Sequence, residues 1–354
     1  MNSATAALHL AVEALGLGRG DRPQGVLVPT LTFAATAEVV RYMNAVPILV
    51  DCEAGSLNID LDDAERKVGQ VARGEIVGIP AVQMAGIIPA HVGGLMVDLE
   101  RLRAFAARHN LWIVEDAAHA FPSAWRGGDD RPWTRAGEDS AAVSCFSFYA
   151  NKTITTGEGG MAVTADSKLA DRMRVMSLHG LSKDAWNRYG AGASWDYQIV
   201  APGFKYNLSD VAAAIGIHQV ARAEDMRRRR ESLALAYRER LARIDQIEVP
   251  PAPANVRHSW HLFAIRLKLD RLRIDRNGFM DELQKAGVGC SVHWRPLHLH
   301  PYYQQHFAWD AKHFPVATRE WSRLVSLPLY PSMTPEEHRH VVDTTAGLCA
   351  TYAK

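Results

Sequence analysis

The sequence lacks a surplus of either charge. Lysine and arginine total 40, aspartate and glutamate total 39, and the net charge of the 354-residue chain is +1 at pH 7. Proteins that bind nucleic acid usually carry a basic surplus, so nucleic acid is not an expected partner. Hydrophobic residues make up 47% of the chain and charged residues 22%, which is typical of soluble globular proteins. The length predicts one large domain with a smaller one.

Cysteine is also scarce. The four cysteines are Cys52, Cys145, Cys290 and Cys349. They lie far apart, and no two have the close spacing of a metal site or a disulfide framework. We therefore expect reduced thiols and a cytoplasmic protein.

No long apolar run is free of helix-breaking residues. Residues 76–97 contain no acidic or basic side chain apart from a histidine, but they include Pro80, Pro89 and four glycines. Because a membrane-spanning helix needs apolar continuity, this stretch indicates a buried strand followed by a loop. The first residues also lack the basic and apolar regions of a signal peptide. We expect no membrane association.

Strand and helix patterns alternate through the first two-thirds of the chain. The predicted strands are GVLVPT (25–30), VPILVD (46–51), EIVGIPAVQM (75–84), LWIVEDAA (111–118), AAVSCFSF (141–148) and GMAVTA (160–165). This order predicts a mostly parallel α/β sheet, whose ligands bind beyond the carboxyl ends of the strands.

The rest of the chain predicts a second, smaller domain. We assign residues 1–225 to the large α/β domain and residues 226–354 to a C-terminal α+β domain. A long connecting helix is predicted at about residues 209–244. Its charge run RAEDMRRRRE (222–231) is typical of a solvated helix face.

A single lysine stands out in SFYANKTITTGEGG (147–160). Lys152 follows a predicted buried strand, and Asp116 ends another strand in VEDAAHA. A partly dehydrated lysine has a lowered pKa and becomes a nucleophile toward aldehydes. Lysine and aspartate converging on one heterocycle are typical of pyridoxal phosphate, which lysine binds as a Schiff base while aspartate holds the protonated pyridine nitrogen. The alternative is that Lys152 is an ordinary surface lysine in a solvated turn.

Other residues meet the further requirements of that cofactor. Ser3 and Thr5 begin a predicted helix whose free amides suit a phosphate, and Ser147 adds a hydroxyl. Phe33 provides an apolar face at a strand-to-helix junction. Taken singly, each residue is better explained without a ligand, Thr5 as a helix cap, Phe33 as core and Ser147 as a turn residue. Together these residues favour a cofactor site.

Motifs in order along nearly the whole chain resemble one known family. They are SATAALHLA, VPTLTFAATAEVV, VPILVD, VEDAAHAF, CFSFYANKTITTGEGGMAVT, LHGLSKDAW, PGFKYNLSDVAAAIG, HSWHLFAIRL and SLPLYPSMT. They resemble the DegT/StrS family of nucleotide-sugar aminotransferases, and EDAAHA, KYNLSD and HSWHLF look closest to the branch that makes UDP-linked 4-amino-4-deoxy-arabinose. The resemblance implies the fold of type I pyridoxal-phosphate enzymes and a homodimer with shared active sites.

The resemblance also implies roles for single residues. Lys152 would form the Schiff base and then move the proton between cofactor and substrate carbons. Asp116 would pair with the pyridine nitrogen, and His119, alternatively a core histidine, would lie beside the ring. Ser147, Thr5 and the backbone of Ala6 match phosphate positions, and Phe33 the ring-stacking position. Lys205 or Asn207 would reach the phosphate bound by the neighbouring subunit.

The segment VHWRPLHLHPYY resembles one that approaches the sugar. Trp294 and His298 are the candidates for substrate contact, with plain packing as the alternative. His293, His298 and His300 lie close together in sequence, but they lack a carboxylate partner and a fixed ligand spacing. We therefore expect no metal site.

The sequence departs from the family pattern in two places. Relatives carry a further N-terminal segment before the motif on which this chain begins, which suggests a truncated chain or a natural short form with weakened activity. Gln83 also replaces a histidine in AVQMAG. The leading interpretation is an aminotransferase that moves an amino group from glutamate to a nucleotide-linked keto-sugar. A sugar dehydratase of the same fold, which would carry histidine in place of Lys152, and a non-catalytic sensor are the alternatives.

Overall fold

The computed structural model describes residues 1–76, 78–138, 141–182 and 198–354. In these residues the α-helices are α1 (Ala4–Ala14), α2 (Ala35–Tyr42), α3 (Leu61–Arg73), α4 (Leu99–Arg108), α5 (Ser167–Ser177), α6 (Asp210–Ala221), α7 (Ala223–Leu241), α8 (Arg276–Lys285), α9 (Pro301–Phe307), α10 (Pro315–Arg323) and α11 (Pro335–Thr351). The strands are β1 (Gln24–Pro29), β2 (Val46–Val50), β3 (Gln83–Ile87), β4 (Trp112–Asp116), β5 (Ala124–Trp125), β6 (Thr134–Arg135), β7 (Val143–Ser147), β8 (Gly160–Val163), β9 (Ile247–Glu248), β10 (Val256–Arg257), β11 (Phe263–Leu267) and β12 (Leu324–Leu327). The end of the LHGLSKDAW motif, residues 183–186, lies outside the described residues.

Short polar side chains fix where many of these helices begin. A serine, threonine or aspartate accepts hydrogen bonds from first-turn amides at Ser3, Asp60, Asp98, Asp166, Ser209, Asp275 and Thr334. Each such cap stabilises its helix by about 1 kcal/mol, because it satisfies an amide that the helix itself leaves free. The positions at which these helices begin are therefore determined by local sequence.

The predicted parallel sheet is confirmed. Six strands lie in the order β2-β1-β3-β4-β7-β8. The pairs among the first five strands are parallel, and β8 runs antiparallel to β7 at one edge. Strands β1, β2 and β7 are almost entirely buried, and β1 and β2 are rich in valine, as expected of a sheet covered on both faces. In register, Asp116 of β4 lies beside Cys145 of β7.

The second half of the chain has its own sheet and core. Strands β12, β11 and β9 form an antiparallel sheet, and their core includes Tyr237, Phe263 and Phe279. Part of the predicted second domain packs elsewhere, because Leu297, Phe307 and Phe314 lie in the core around the parallel sheet. The boundary at residues 225 and 226 remains a prediction.

Two predicted elements differ from the structure. Strand β3 begins at Gln83 and not at residue 75, since Gly78 has a positive φ of 78° and Pro80 lacks an amide for pairing. The long connecting helix is two helices, α6 and α7, because the backbone leaves helical geometry at Arg222 (φ −99°, ψ −2°).

The charge run of α7 is only partly solvated. Arg228 and Arg229 are exposed, but Arg227 and Arg230, three residues apart on one helix face, are buried. The prediction of a wholly solvated face is therefore wrong for these two side chains. Among the described helices, none has the length and apolar content needed to cross a membrane.

Candidate active site

A cavity of about 490 Å³ opens beyond the carboxyl ends of the central strands. Asp116 at the end of β4, Ser147 at the end of β7 and Thr5 in the first turn of α1 all line it. This is the position at which open α/β sheets bind their ligands. Lys152, Phe33, His119 and Trp294 complete the set of predicted site residues at this cavity.

Lys152 follows β7 in a tight turn. Its amide donates to the Tyr149 carbonyl at 3.0 Å, and its Nζ lies 3.5 Å from Nε2 of His261. Burial lowers the pKa of Lys152 from its usual 10.5 to about 8, although the nearby Asp116 carboxylate opposes the shift. A usable fraction of this amine is therefore uncharged and nucleophilic near neutral pH. The solvated-turn alternative does not hold.

Asp116 is held as an acceptor at the cavity wall. One carboxylate oxygen accepts from the Thr36 hydroxyl at 2.7 Å, and the other from the Ala118 amide at 3.1 Å. The neighbouring Glu115 points to the other face of the sheet, where it accepts from Ser144 at 2.6 Å. Alternation along β4 thus sends one carboxylate to the cavity and the other away from it, as predicted.

The N-terminus of α1 also faces the cavity. Ser3, and not Thr5, caps this helix, and its hydroxyl accepts from the Ala6 amide at 3.0 Å. The amides of Ala4 and Thr5 belong to the first turn, which has no intrahelical acceptor for them. Such amides favour an anion. The backbone amide of Ala6, by contrast, already has a partner, and its predicted phosphate contact remains a prediction.

Gly160 allows the loop after Lys152 to pack against this helix start. A Cβ atom at Gly160 would lie 2.3 Å from the carbonyl carbon of Ser3, so no side chain fits there. The Met1 ammonium group donates to the Gly160 carbonyl at 2.8 Å. Ser147 lies in the same corner, where its hydroxyl accepts from the Tyr149 amide at 3.4 Å. Its role as a turn residue and its place at the cavity are therefore compatible.

Imidazole and indole rings form part of the cavity wall. The His119 ring stacks on Trp294 with centroids 5.0 Å apart, and lies 4.1 Å from the His261 ring. Burial, and then the positive charge of Lys152, hold the pKa values of His119 and His261 well below the usual value. Burial lowers the pKa of His293 to about 4. These imidazoles are therefore neutral at physiological pH.

Phe33 is not a core residue. Its side chain is 58% exposed at the mouth of the cavity, and the preceding threonine, Thr32, also lines it. A large exposed aromatic ring beside a cavity provides a flat apolar surface for a ligand.

Comparison with known proteins decides what this arrangement is. The model of the DegT/DnrJ/EryC1/StrS aminotransferase family matches residues 1–346. The chain belongs to this family. Enzymes of the DegT/StrS family depend on pyridoxal phosphate and have the type I fold, so the predicted family, fold class and cofactor are confirmed.

Individual relatives agree with this assignment. The spore coat polysaccharide biosynthesis protein SpsC of Bacillus subtilis is 38% identical over 349 residues, which cover 98% of this chain and 84% of SpsC. The pyridoxamine phosphate form of Spr1654 from Streptococcus pneumoniae superposes with a TM-score of 0.85 at 29% identity, over 99% of this chain and 87% of Spr1654. The sugar aminotransferase CalS13 from Micromonospora echinospora superposes with a TM-score of 0.81 at 29% identity, over 98% and 86% of the two chains.

The residues present fit the cofactor of the DegT/StrS family. Lys152 offers an amine of lowered pKa, Asp116 a fixed acceptor and α1 an anion site within one cavity. Among the described residues, no group hydrogen-bonds the buried Nδ1 of His119, so this atom is available to a bound ligand. The roles of these side chains toward pyridoxal phosphate remain predictions.

Lys205 and Asn207 lie outside this cavity. The Lys205 ammonium donates to the Asn207 side chain at 2.6 Å, and Asn207 lines a separate depression of about 590 Å³ with Asp171 and Arg174. The structure therefore does not bring them to the Lys152 of their own chain. Their predicted place in the site of a second subunit is not tested by this observation.

The structure places His298 away from the cavity, against the prediction of a substrate contact. His298 is fully buried and stacks on Phe314 with centroids 4.6 Å apart. Its ring nitrogens pair with the hydroxyls of Thr30 at 2.7 Å and Thr318 at 2.9 Å. Since both nitrogens are occupied, its role is to join the segment after β1 to α10. Trp294, in contrast, lines the cavity.

Three residues of the site are not among the predicted ones. His261 contacts Lys152, and Thr36 donates to Asp116. The HSWHLF motif is the sequence signal for His261. His293 also lines the cavity, and its Nδ1 lies 2.9 Å from the Ser326 hydroxyl. Among the described residues, no group of three or more histidine, cysteine or acidic side chains could hold a metal ion.

Proposed function

We propose that this enzyme transfers an amino group from glutamate to a keto-sugar linked to a nucleotide. The observation that supports this most is the cavity itself, which combines the low-pKa amine of Lys152, the fixed carboxylate of Asp116 and an anion site at α1. Its mouth beside Phe33 is open, which suits a substrate much larger than an amino acid.

The residues of the chain divide the work. When bound, pyridoxal phosphate withdraws electrons from the substrate carbon that bears the amino group and makes its proton acidic. Lys152 would anchor the cofactor, and its ε-amino group would move that proton between the substrate carbon and the cofactor carbon. The carboxylate of Asp116, which Thr36 and the Ala118 amide hold in place, would keep the ring nitrogen protonated. The neutral rings of His119 and Trp294 close one side and limit the access of water.

The relatives support a sugar substrate and a biosynthetic role. SpsC takes part in spore coat polysaccharide biosynthesis, and CalS13 is a sugar aminotransferase. We infer that the product is an amino sugar destined for a cell-surface polysaccharide. All four cysteines are free thiols, which supports a cytoplasmic enzyme.

A homodimer is part of the proposal. Helix α6 has no buried residue although it is rich in apolar side chains, and Val211, Ile217 and Val220 are at least half exposed. An apolar helix in water is unfavourable, so a second copy of the chain is expected to cover it. Asn207 lies just before α6 and would enter the partner site with Lys205.

The test is amino transfer by the purified protein. UDP-, dTDP- and GDP-linked keto-sugars are supplied with pyridoxal phosphate and labelled glutamate, and the label is followed into the sugar. We expect transfer with at least one sugar and its loss in Lys152→Ala, but not in the exposed control Lys168→Ala. Elimination of water from the sugar would indicate a dehydratase. Cofactor binding without turnover on any sugar would contradict the proposal and favour a sensor.

A further inference from the structure

The imidazole of His261 lies within hydrogen-bonding reach of the Lys152 amine. Its Nε2 lies 3.5 Å from Nζ, the one polar side-chain contact of this amine within hydrogen-bonding distance in the part of the chain that the structure describes. Of the neighbouring imidazoles, His293 already pairs with Ser326, and His119 packs against Trp294. Nε2 of His261 has no other hydrogen-bond partner among the described residues and can accept from the lysine in the tautomer that carries its proton on Nδ1.

Hydrogen bonds join residues 259–262, the segment that carries His261, to the large domain beside the cavity. The Ser259 hydroxyl donates to the His119 carbonyl at 2.6 Å, and the Ser259 amide donates to the Ser123 hydroxyl at 3.0 Å. The Leu262 amide donates to the Gly93 carbonyl at 3.2 Å. The backbone is therefore held both before and after His261, by contacts to His119, Ser123 and Gly93 of the large domain.

The backbone at Trp260 requires a further restraint. Its φ of 51° lies in the left-handed region, which a bulky residue adopts only when its surroundings impose it. The Trp260 ring is fully buried and stacks on His258 with centroids 4.0 Å apart. The backbone is thus strained at Trp260, immediately before His261.

Arg230 provides that restraint. Its guanidinium Nη1 is within 2.8 Å of the Leu329 carbonyl, 3.2 Å of the Trp260 carbonyl and 3.5 Å of the His261 carbonyl. No carboxylate pairs with it among the described residues, and burial lowers the pKa of Arg230 to about 10. Burying a guanidinium against carbonyl groups alone is costly, so a purely structural reason for it is weak.

We propose that His261 is a positioning residue for Lys152: its Nε2 accepts a hydrogen bond from the ε-amino group whenever that group is released from the cofactor, and Arg230 fixes His261 through the backbone of residues 260 and 261. A neutral acceptor holds the amine toward the cavity without adding a second positive charge. This rests on the cofactor chemistry of the family and on Lys152 as its anchor, but not on the identity of the amino acceptor.

The test measures how fast Lys152 recaptures its cofactor. Attachment joins Nζ to the aldehyde carbon of pyridoxal phosphate and releases one water, and the absorbance of the new bond reports its rate. The purified protein is freed of cofactor and mixed with pyridoxal phosphate without any sugar. Borohydride then reduces the new bond, so that the modified lysine can be identified. Because no sugar is needed, this measurement tests His261 even if amino transfer to every nucleotide-linked keto-sugar fails.

Variants of His261 give the decisive comparison. We expect His261→Phe to slow attachment about tenfold, as loss of one hydrogen bond predicts, and His261→Gln, which keeps an acceptor, to stay near the parent rate. In His261→Ala, added imidazole is expected to restore much of the loss. The exposed control His340→Gln is expected to be unchanged. A normal rate in His261→Phe, or equal losses in Phe and Gln without rescue by imidazole, overturns the proposal.

Arg230 is tested through its coupling to His261. Arg230→Met is expected to slow attachment like His261→Phe, whereas Arg229→Met, the exposed neighbour on the same helix, is not. Because both residues act on one contact, the double variant should be no slower than the slower single variant. Additive losses would overturn the role assigned to Arg230, and so would a loss of stability with an unchanged rate.

Discussion

The Thr36 hydroxyl donates to the Asp116 carboxylate at 2.7 Å and lies 2.8 Å from the Thr32 hydroxyl, all within a fully buried corner of the cavity wall. This contact fixes the carboxylate that would face the cofactor ring. Removing it leaves one oxygen of Asp116 without a donor, so that the Ala118 amide alone holds the carboxylate.

Thr36→Val preserves the volume of this side chain and removes only the hydroxyl. We expect cofactor binding to weaken at least about tenfold, the lower limit for loss of one hydrogen bond to a charged group, and the cofactor dissociation constant measures it. Thr36→Ser keeps the hydroxyl and serves as the matched control. Equal affinity in the valine and serine variants would show that Thr36 does not support Asp116.

The pKa of Lys152 predicts how cofactor attachment depends on pH. Only the neutral amine attacks the aldehyde, so the attachment rate should rise through about pH 8 and level off above it. A rate still climbing at pH 10 would contradict this.

The lowered pKa of Lys152 also makes the stability of the protein depend on pH. Because the folded pKa lies below the usual 10.5, the unfolded chain binds more protons between about pH 8 and 10.5, and the free energy of unfolding rises with pH across that window. Chemical denaturation of the cofactor-free protein measures it. In Lys152→Ala the contribution of this lysine is absent, so the free energy of unfolding should rise less with pH across that window.

Residues whose position depends on local pattern lie at the cavity, as the sequence predicts. Lys152, Asp116 and Ser147 stand at or just beyond strand ends, and a parallel sheet brings such ends to one edge. Phe33 and Thr5 lie at helix starts, which the same topology turns toward that edge.

Residues whose role depends on distant partners were not predicted. His298 looked like a ligand because the sequence cannot show that Thr30 and Thr318, each far from it in sequence, occupy its nitrogens. Arg230 looked like part of a solvated face for the same reason, since its acceptors Trp260 and Leu329 come from remote segments.

The packing role of His298 makes a prediction opposite to that of a substrate ligand. His298→Ala should lower the free energy of unfolding by about 3 kcal/mol, because two buried hydrogen bonds and a stacked ring are lost. KM for both substrates should stay unchanged in the fraction that folds. Denaturant unfolding and steady-state kinetics measure the two effects, with the exposed His306→Ala as control. A raised KM with normal stability would restore His298 as a substrate contact.

The exposed face of α6 predicts where the dimer forms. Ile217 is 71% exposed on this helix, and Ile217→Asp would place a charge in the proposed interface. We expect sedimentation velocity to show monomers for this variant. Leu235→Asp is the matched control, because Leu235 is 48% exposed on the neighbouring α7. A variant that remains dimeric would place the interface elsewhere.

Shared active sites make a sharper prediction, which mixed dimers test. A chain with Lys205→Ala and Asn207→Ala and a chain with Lys152→Ala should each be inactive alone. If Lys205 and Asn207 serve the partner, a mixed dimer has one site with both defects and one intact site. With equal amounts and random pairing, half the dimers are mixed, so about a quarter of the parent activity should return. If both residues served their own chain, every site would carry one defect and no activity would return. Amino transfer measured after the two variants are refolded together, against the same variants mixed without refolding, separates the two cases.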